Sequence, residues 1–433
     1  MKILVFAHRF GVGGSQVNTV DLTAALRDRY GHDVAIFATP GAMVKVAEER
    51  GIRFLPAPDV RTYPSLAMMK ALRSAVRSEK PDLIHVWDWW QCLDAYYGVY
   101  ISRRLPMVLS DMVSEGINRF LPKSLPTTFG TPELVDSARA AGRRNVSLLL
   151  PPVDIHYNAP SVVDPRAFRA DFHIHDDEIL LVTVSRLVVQ LKSESLRRTI
   201  GAVNFLGRHL PLRYVIVGDG NARPELERLA SATNDSLGRP AVILAGELLD
   251  PRPAYNAADI VVGMGGSALR GMAFAKPVIV VGEGGFSSVL TSETADWFLY
   301  YGLYGRGNGG SDNIRHIEDI RTLVTQRETL PRLGAYSRDF VTSHFSVEAV
   351  CCALERLIQD TMASMPPSAL PTFADGLRTA AILLWGRHLP NAVRQAIRRR
   401  EQERMSALRI PVHLRPRNGA QSKESFGAKS FPQ

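Results

Sequence analysis

Two cationic side chains, Arg186 and Lys192, stand just beyond a predicted buried strand, in the stretch VSRLVVQLKSESL at 184–196. The carboxyl ends of parallel strands border the crevice in which ligands bind. Two fixed positive charges there could neutralise a departing diphosphate without a metal ion. The alternative is the solvated start of a helix, but a position directly after a buried strand favours phosphate binding.

Three glycine-rich turns could bring backbone N–H groups close to a phosphate. Glycine lets the backbone approach a ligand closely, and the first N–H groups of a helix attract an anion. Each turn taken alone is also compatible with ordinary turn chemistry. The residues that we predict at a donor-phosphate site are Gly13 and Gly14, Gly218 and Gly220, and Gly265, Gly266 and Ser267.

An aromatic run, WDWWQCLDAYYGVY at 87–100, ends a strand and enters a helix. Aromatic rings at the mouth of a cleft could stack on sugar rings or grip a lipid-linked acceptor, and carboxylates could hold hydroxyl groups. Aromatic side chains are more often part of a core, and we assign about half of these to the core. The predicted acceptor contacts are Asp88, Trp89 and Trp90.

Apolar runs of four to six residues alternate with amphipathic helical stretches along most of the chain. Strands that are buried on both faces and alternate with helices indicate parallel sheets covered by helical layers. The series occurs twice, on either side of a proline-rich junction at 148–172, which we interpret as a linker. The predicted strands are 2–7, 33–38, 82–87, 179–185, 213–218, 241–246, 259–263 and 277–282.

Composition narrows the class of protein. The chain has 433 residues, enough for two domains, and a net charge of +9, which favours an anionic partner. Its three cysteines, Cys92, Cys351 and Cys352, form no CxxC or Cys/His cluster, so disulfides and zinc are not expected. No apolar run approaches the ~20 residues that cross a bilayer. We expect a cytoplasmic protein, which could lie peripherally on the inner membrane face.

The character of the chain changes after about residue 361. A turn-rich spacer at 362–373 precedes a basic, partly amphipathic helical stretch at 377–405 and a polar end that we expect to be disordered. Such a helix could lie on anionic lipid or be a solvated terminal helix. Nucleic-acid binding is not expected, because no basic surface interleaved with aromatic residues is present. The tail carries Arg387, Arg394, Arg398, Arg399, Arg400, Arg404 and Arg409 against Glu401 and Glu403.

Taken together, these stretches resemble the retaining GT-B glycosyltransferases of the large family that includes glycogen, sucrose and mannosyl transferases (glycosyltransferase family 4 type). The resemblance runs from residue 1 to about 360. It rests on the Gly-Gly first loop, PDLIHVWD, the Ser-Arg-Leu…Lys segment, VIVGDG, YNAADIVVG and AFAKPVIVVGEGG, in that order. The stretch HFSVEAVCCALERLI at 344–358 is similar to the last helix of that family, which returns towards the first domain.

The resemblance implies an α/β fold with two Rossmann-like, doubly wound parallel-sheet domains that face a cleft. It implies an acceptor domain at 1–160, a donor domain at 161–345, a returning helix at 346–361 and the tail at 362–433. The implied reaction moves a sugar from a nucleoside-diphosphate sugar to a saccharide or lipid-linked acceptor with retention, without metal or cofactor. Arg186 and Lys192 would then hold the diphosphate.

The donor motif departs from the family pattern. The family carries two glutamates separated by seven residues, of which the first meets the donor sugar and the second the ribose. Arg270 stands at the second position, and the first has no counterpart. Arg270 could add a cation near the phosphates or face solvent. Glu283, after the next strand, could supply a carboxylate to the cleft.

The first domain departs as well. Many family members place a histidine after the strand that matches 106–110, whereas Asp111 is the ionisable residue here and becomes the candidate catalytic group. The leading hypothesis is a metal-independent glycosyltransferase in polysaccharide, glycolipid or cell-envelope synthesis. The alternatives are an inactive GT-B scaffold that binds a partner protein, or a sugar-nucleotide epimerase, which would itself need cleft carboxylates and histidines.

Overall fold

The computed structural model describes residues 1–112, 117–118, 120–189, 192–306, 312–364 and 369–388, and two parallel sheets organise them. The first sheet has the strand order β3-β2-β1-β4-β5-β6-β7, with every pairing parallel. Its strands are β1 (Lys2–Phe6), β2 (Asp33–Ala38), β3 (Arg53–Pro56), β4 (Leu83–Trp87), β5 (Met107–Asp111), β6 (Thr127–Phe129) and β7 (Val146–Leu148).

Helices cover both faces of this first sheet. The strands β1 and β4 are almost wholly buried, which is what continuous apolar runs such as KILVF and LIHVW produce. The helices are α1 (Gly14–Tyr30), α2 (Met43–Glu49), α3 (Leu66–Glu79), α4 (Asp88–Ala95), a π-helical turn (Tyr96–Tyr100), α5 (Ile101–Arg103) and α6 (Pro132–Ala140). Helix α7 (Pro165–Asp171) lies in the stretch that we interpreted as a linker.

The second sheet has the order β10-β9-β8-β11-β12-β13, and only β13 pairs antiparallel to its neighbour among the described strands. Its strands are β8 (Ile179–Val184), β9 (Leu212–Val217), β10 (Val242–Gly246), β11 (Ile260–Gly263), β12 (Val278–Val281) and β13 (Ser287–Val289). Its helices are α8 (Ser193–Leu206), α9 (Arg223–Leu237), α10 (Arg252–Ala257), α11 (Gly266–Ala273), α12 (Ala295–Tyr301), α13 (Ile314–Thr325), a 3-10 turn (Arg327–Thr329) and α14 (Leu330–Phe345). The predicted α/β fold with two doubly wound sheets is confirmed.

Each sheet has one point at which the strand order reverses. In the first sheet it lies between β1 and β4, and in the second between β8 and β11. The loops that leave neighbouring strands diverge there to opposite faces, which opens a crevice at the carboxyl ends of the strands. The two crevices are therefore the places where a ligand is expected.

The chain returns to the first sheet after completing the second. Val153 pairs with Ser346, and its N–H donates to the carbonyl of Phe345 at 2.7 Å. Helix α15 (Val347–Ala363) then buries Val350, Leu354 and Ile358 in the same core cluster as β1 and α1. The last helix thus joins the two halves by covering a face of the first one.

A further helix, α16 (Ala369–His388), packs against the π-helical turn and α5. Residues 369–373 were expected to belong to the turn-rich spacer and are helical instead. Thr372 is buried there, and its carbonyl oxygen accepts a hydrogen bond from the Tyr96 hydroxyl. Residues 389–433, with most of the tail arginines and the end predicted to be disordered, lie outside the described residues. No helix in the described part is long and apolar enough to span a bilayer.

Candidate functional site

A cavity at the reversal point of the second sheet brings Lys192 and Ser267 together. Thr183 and Ser185 reach it from the end of β8, and Gly263 reaches it from the end of β11. The predicted phosphate cation and the predicted glycine-rich helix start therefore share one small cavity. Only the fold could place them together, since 75 residues of chain separate them.

Lys192 is held in an unfavourable electrostatic environment. Burial, and to a smaller extent the nearby positive charge of Arg186, lower the pKa of its ammonium group to about 8. Among the described residues, none offers its ammonium group a carboxylate. A half-buried cation beside a second cation attracts an anion, so this corner is chemically suited to a diphosphate.

Gly218 and Gly220 position the Arg186 segment. Both have positive φ angles, of 139° and 151°. A Cβ on Gly218 would overlap the carbonyl oxygen of Ser185, and one on Gly220 would overlap that of Leu187. The segment is fixed by the N–H of Leu187, which donates to Asp219 O at 2.8 Å. These contacts support a role of both glycines in backbone packing beside Arg186, and their predicted contact with a ligand stays a prediction.

The start of α11 supplies a tight turn at the same crevice. Gly265 has φ 53° and ψ −129°, a conformation that suits glycine, and the ring of Tyr304 would lie 3.2 Å from a Cβ there. The N–H of Gly265 donates to Leu303 O at 2.6 Å, and that of Ser267 to Met264 O at 3.2 Å. Two of the three predicted phosphate donors are thus already engaged, and Gly266 is the exposed member of the group.

Arg270 neither points freely into solvent nor replaces a carboxylate. Its guanidinium contacts Gly266 O at 3.4 Å, and its charge partly offsets the rise that burial causes in the pKa of the Tyr255 hydroxyl. Its charge also acts on Asp21 of α1, in the other half of the molecule, where burial raises the pKa of the carboxyl to about 6 despite Arg50 and Arg270. Arg270 therefore lies between the two halves.

The reversal point of the first sheet carries an imidazole–carboxylate pair. His8 Nε2, after β1, lies 3.1 Å from a carboxylate oxygen of Asp88, after β4. Gln16 Nε2 lies 3.0 Å from the other ring nitrogen, His8 Nδ1, and donates to Arg9 O. Asp88 has a φ of 62°, a left-handed conformation that non-glycine residues adopt mostly under local constraint. Such a pair can bind or deprotonate a hydroxyl group.

His8 is a site residue that our reading of the sequence missed. The rule that selected Arg186, a polar residue directly after a buried strand, would have selected His8 too. Gly13, by contrast, was predicted as a ligand contact, and a Cβ there would overlap the Gln16 amide that supports His8. Gly14 has open space around its Cα and remains a candidate.

Trp89 and Trp90 extend the Asp88 corner into an aromatic surface. Their rings stack at a centroid distance of 3.7 Å. Phe120 meets Trp89 edge-on at 4.7 Å, and Tyr63 meets Trp90 at 5.4 Å. Trp90 is 43% exposed, while Trp87, Tyr96 and Tyr100 lie in the core. The predicted division of the aromatic run into surface and core residues matches this arrangement, and the surface part borders the crevice.

The two crevices face each other across one junction. Arg306, in the loop after α12, pairs with Glu133 of α6 at 2.9 Å, and Tyr300 Oη donates to Asp136 at 3.0 Å. Tyr304 contacts the start of α11. Burial raises the pKa of the Tyr304 hydroxyl, and the negative charge of Asp88 raises it further in the same direction. The segment 300–306 therefore connects the phosphate corner with the His8–Asp88 pair.

Two predicted site residues, Asp111 and Glu283, are not among the residues that line the cavity around Lys192. Asp111 is 1% exposed at the end of β5, where its charge acts on Cys92 and Arg143 in the interior of the first half. Glu283 is exposed after β12, and the N–H groups of the following Gly284 and Gly285 bind the carboxylate of Glu194 at 3.1 and 2.8 Å. Within the described residues, no group of three potential metal ligands converges.

Anion binding at Lys192 should depend on pH. Lys192 is charged below a pKa of about 8 and loses its charge as the pH rises through that value. The affinity for UDP, measured by calorimetry, should stay level below about pH 7.5 and fall by up to about tenfold per unit above pH 8. The Lys192→Met variant should bind UDP more weakly at pH 7, and its affinity should no longer fall above pH 8. An equal fall of affinity with pH in the variant would contradict the assignment of this effect to Lys192.

Two family models match the chain. The model of Glycosyltransferase Family 4 matches residues 12–111, and that of Glycosyl transferases group 1 matches residues 178–301. Together they span more than half of the chain, one on each sheet. Among curated protein sequences, none matches.

Solved structures share the whole two-sheet arrangement. A glycosyltransferase from Rickettsia africae ESF-5 is 13% identical, with a TM-score of 0.68, over 84% of this chain and 99% of that one. Anabaena Alr3699/HepE in complex with UDP-glucose is 16% identical, with a TM-score of 0.63, over 84% and 100%. UDP-GlcNAc 2-epimerase from Neisseria meningitidis is 13% identical, with a TM-score of 0.57, over 83% and 100%. These likenesses establish the fold, and with the two family models they show that the chain belongs to the GT-B glycosyltransferases of the family 4 type.

Proposed function

We propose that this protein moves a sugar from a nucleoside-diphosphate sugar to a hydroxyl group of a saccharide or lipid-linked acceptor, without a metal ion. The observation that carries the proposal is the opposition of two unlike corners across one cleft. Lys192 and Arg186 form a cationic corner on one side, and His8, Asp88 and the stacked tryptophans form a polar and aromatic corner on the other.

The cationic corner is suited to the donor. As the bond to the sugar breaks, negative charge accumulates on the diphosphate, and preorganised cations stabilise that charge more than they stabilise the ground state. Anabaena HepE, with the same fold, has been solved with UDP, with UDP and glucose, and with UDP-glucose. A uridine nucleotide is therefore the first donor to test.

The opposite corner is suited to the acceptor. An acceptor sugar could stack on Trp89 and Trp90 while His8 and Asp88 bind the hydroxyl that attacks. Asp88 holds the ring of His8, so the imidazole is oriented before the acceptor arrives. We place the reaction in polysaccharide, glycolipid or cell-envelope synthesis, at an anionic membrane surface that the basic tail would help to bind.

A binding scaffold without activity is the second candidate, because the paired glutamates of the family are absent. The environment of Lys192 argues against it. A half-buried ammonium group next to a guanidinium loses solvation and gains repulsion, and a bound anion would compensate for both. An epimerase is supported by the fold alone.

A nucleotide panel separates these possibilities. Calorimetric titration with UDP, GDP, ADP and TDP should find saturable binding of one of them, weakened about ten- to a hundredfold by Arg186→Ala and by Lys192→Ala. Lys45→Ala, at an exposed lysine of α2, is the matched control and should bind normally. A folded sample that binds none of the four would instead support the scaffold.

The acceptor corner has a separate test. With the donor identified, His8→Asn and Asp88→Asn should leave donor affinity within about twofold but lower transfer to an acceptor array by about a hundredfold or more. Asp28→Asn, at an exposed aspartate near the end of α1 on the same half, is the matched control. Equal loss of donor affinity in the two corner variants would assign His8 and Asp88 to the donor site instead.

Retention of configuration is the remaining element of the proposal. It rests on the resemblance to retaining enzymes, in which the acceptor attacks from the face that the diphosphate leaves. The anomeric proton coupling of the new glycosidic linkage, measured by NMR, should match that of the donor sugar. An inverted product would overturn this element and leave the donor assignment intact.

A further inference from the structure

Helix α16 is anchored to the first half of the molecule by one face. The hydroxyls of Tyr96 and Tyr97 donate to the carbonyls of Thr372 and Gly376 at 2.8 and 2.9 Å. A Cβ on Gly376 would approach Ile101 Cδ1 to 2.9 Å, so the two helices meet at close range. This inner face fixes which side of α16 points outwards.

Polar contacts at the edge of α16 hold it against the loop before β6. Asp375 accepts the N–H of Ser124 at 2.8 Å and pairs with Arg378 at 2.9 Å. Arg378 also donates to Leu121 O at 2.9 Å. Both charged residues of this part of the helix are thereby engaged with the protein.

The outer face of α16 is wholly apolar. Every exposed residue between 370 and 385 is apolar, and the side chains recur at intervals of three, four and seven residues, which places them on one stripe. Their exposed fractions are 83% for Leu370, 57% for Phe373, 58% for Leu377, 57% for Leu384 and 73% for Trp385. A continuous apolar surface of this kind marks an interaction site.

The surroundings of this stripe are cationic. Helices α3 and α5 pack against the same π-helical turn as α16. All of the fully exposed charged residues on these two helices are basic. Of the acidic groups nearby, Glu79 is paired with Lys2 and Arg53. The sequence that follows α16 adds the arginine-rich stretch. The exposed cations of α3 and α5 and the residues that end them are Lys70, Arg73, Arg77, Lys80, Arg103 and Arg104.

We infer that α16 is a membrane-docking helix whose outer face lies in the interfacial layer of an anionic bilayer. An apolar stripe flanked by cations matches acyl chains bordered by anionic headgroups. A second copy of this chain fits less well, because a two-fold contact through the stripe would bring two cationic rims together. The helix lies along the surface, since its inner face is occupied by the protein.

This docking surface also selects the acceptor, a step that rests on the proposed function. The loop that α16 binds at Leu121 follows Phe120, and Phe120 packs on Trp89 of the acceptor corner. A docked α16 therefore holds the aromatic mouth of the cleft beside the headgroups. The acceptor class that this geometry favours is a lipid-linked saccharide at the bilayer surface.

Vesicle sedimentation of the full chain tests the docking surface. Wild type should pellet with vesicles of phosphatidylcholine and phosphatidylglycerol, much less with phosphatidylcholine alone, and less at high salt. The double variant Phe373→Glu/Leu377→Glu should lower the partition coefficient at least about tenfold. Leu249→Glu/Val162→Glu, at two exposed apolar residues of the second half, is the matched control and should pellet as wild type does.

Three outcomes would overturn the inference. Wild type that does not pellet, or an α16 variant that pellets as well as wild type, would remove the stripe as a lipid contact. A wild-type dimer that the α16 variant converts to monomer in light scattering would make a second copy the occupant. Donor affinity should be equal in wild type, the α16 variant and the control variant. Absence of donor binding in these samples would count against the proposed function and not against docking.

Discussion

The rest of the site depends on the placement of a half-buried cation that the described side chains do not neutralise. Lys192 and Arg186 repel each other, and burial lowers the pKa of Lys192 to about 8. Such an arrangement persists only where the backbone enforces it. Gly218 and Gly220 provide that enforcement, because their missing Cβ atoms let the turn after β9 pack directly on the Ser185–Leu187 backbone. Holding Lys192 and Arg186 close together costs free energy, and a bound anion would offset that cost.

The reversal of strand order explains why the two reactive corners exist and why they oppose each other. At each reversal point, loops from two central strands diverge, and in both sheets these loops carry the polar residues. The segment 300–306 then links the corners through Tyr304. The ring of Tyr304 lies against Gly265, and the charge of Asp88 adds to burial in raising the pKa of its hydroxyl.

Most of the fold could be predicted, because strands buried on both faces produce unmistakable apolar runs. The pairing of Lys192 with the α11 turn was also within reach, since both follow central strands. His8 was not predicted, because its partner Asp88 lies 80 residues away in the sequence and only the fold brings the two together. Asp111 was chosen as the ionisable residue of its loop, but sequence position does not reveal that a side chain turns inwards. The outer face of α16 could be predicted only in part, because residues 369–373 were assigned to the spacer and the buried side of the helix carries the polar residues Thr372 and Thr379.

Arg270 shows how one substitution can move a residue from ligand recognition to architecture. A glutamate at this position of the family would offer oxygen acceptors to ribose hydroxyls, and arginine offers only donors. Here the guanidinium contacts Gly266 O, and its charge acts on the Tyr255 hydroxyl and on the buried carboxylate of Asp21 in the other half. Asp21 is further tied to Arg50 at 2.7 Å, and Arg50 reaches Asp154 between the sheets at 3.6 Å. Because the charges alternate in sign along this row, neighbouring charges attract each other where the two halves meet, and Arg270 contributes there to the contact between them.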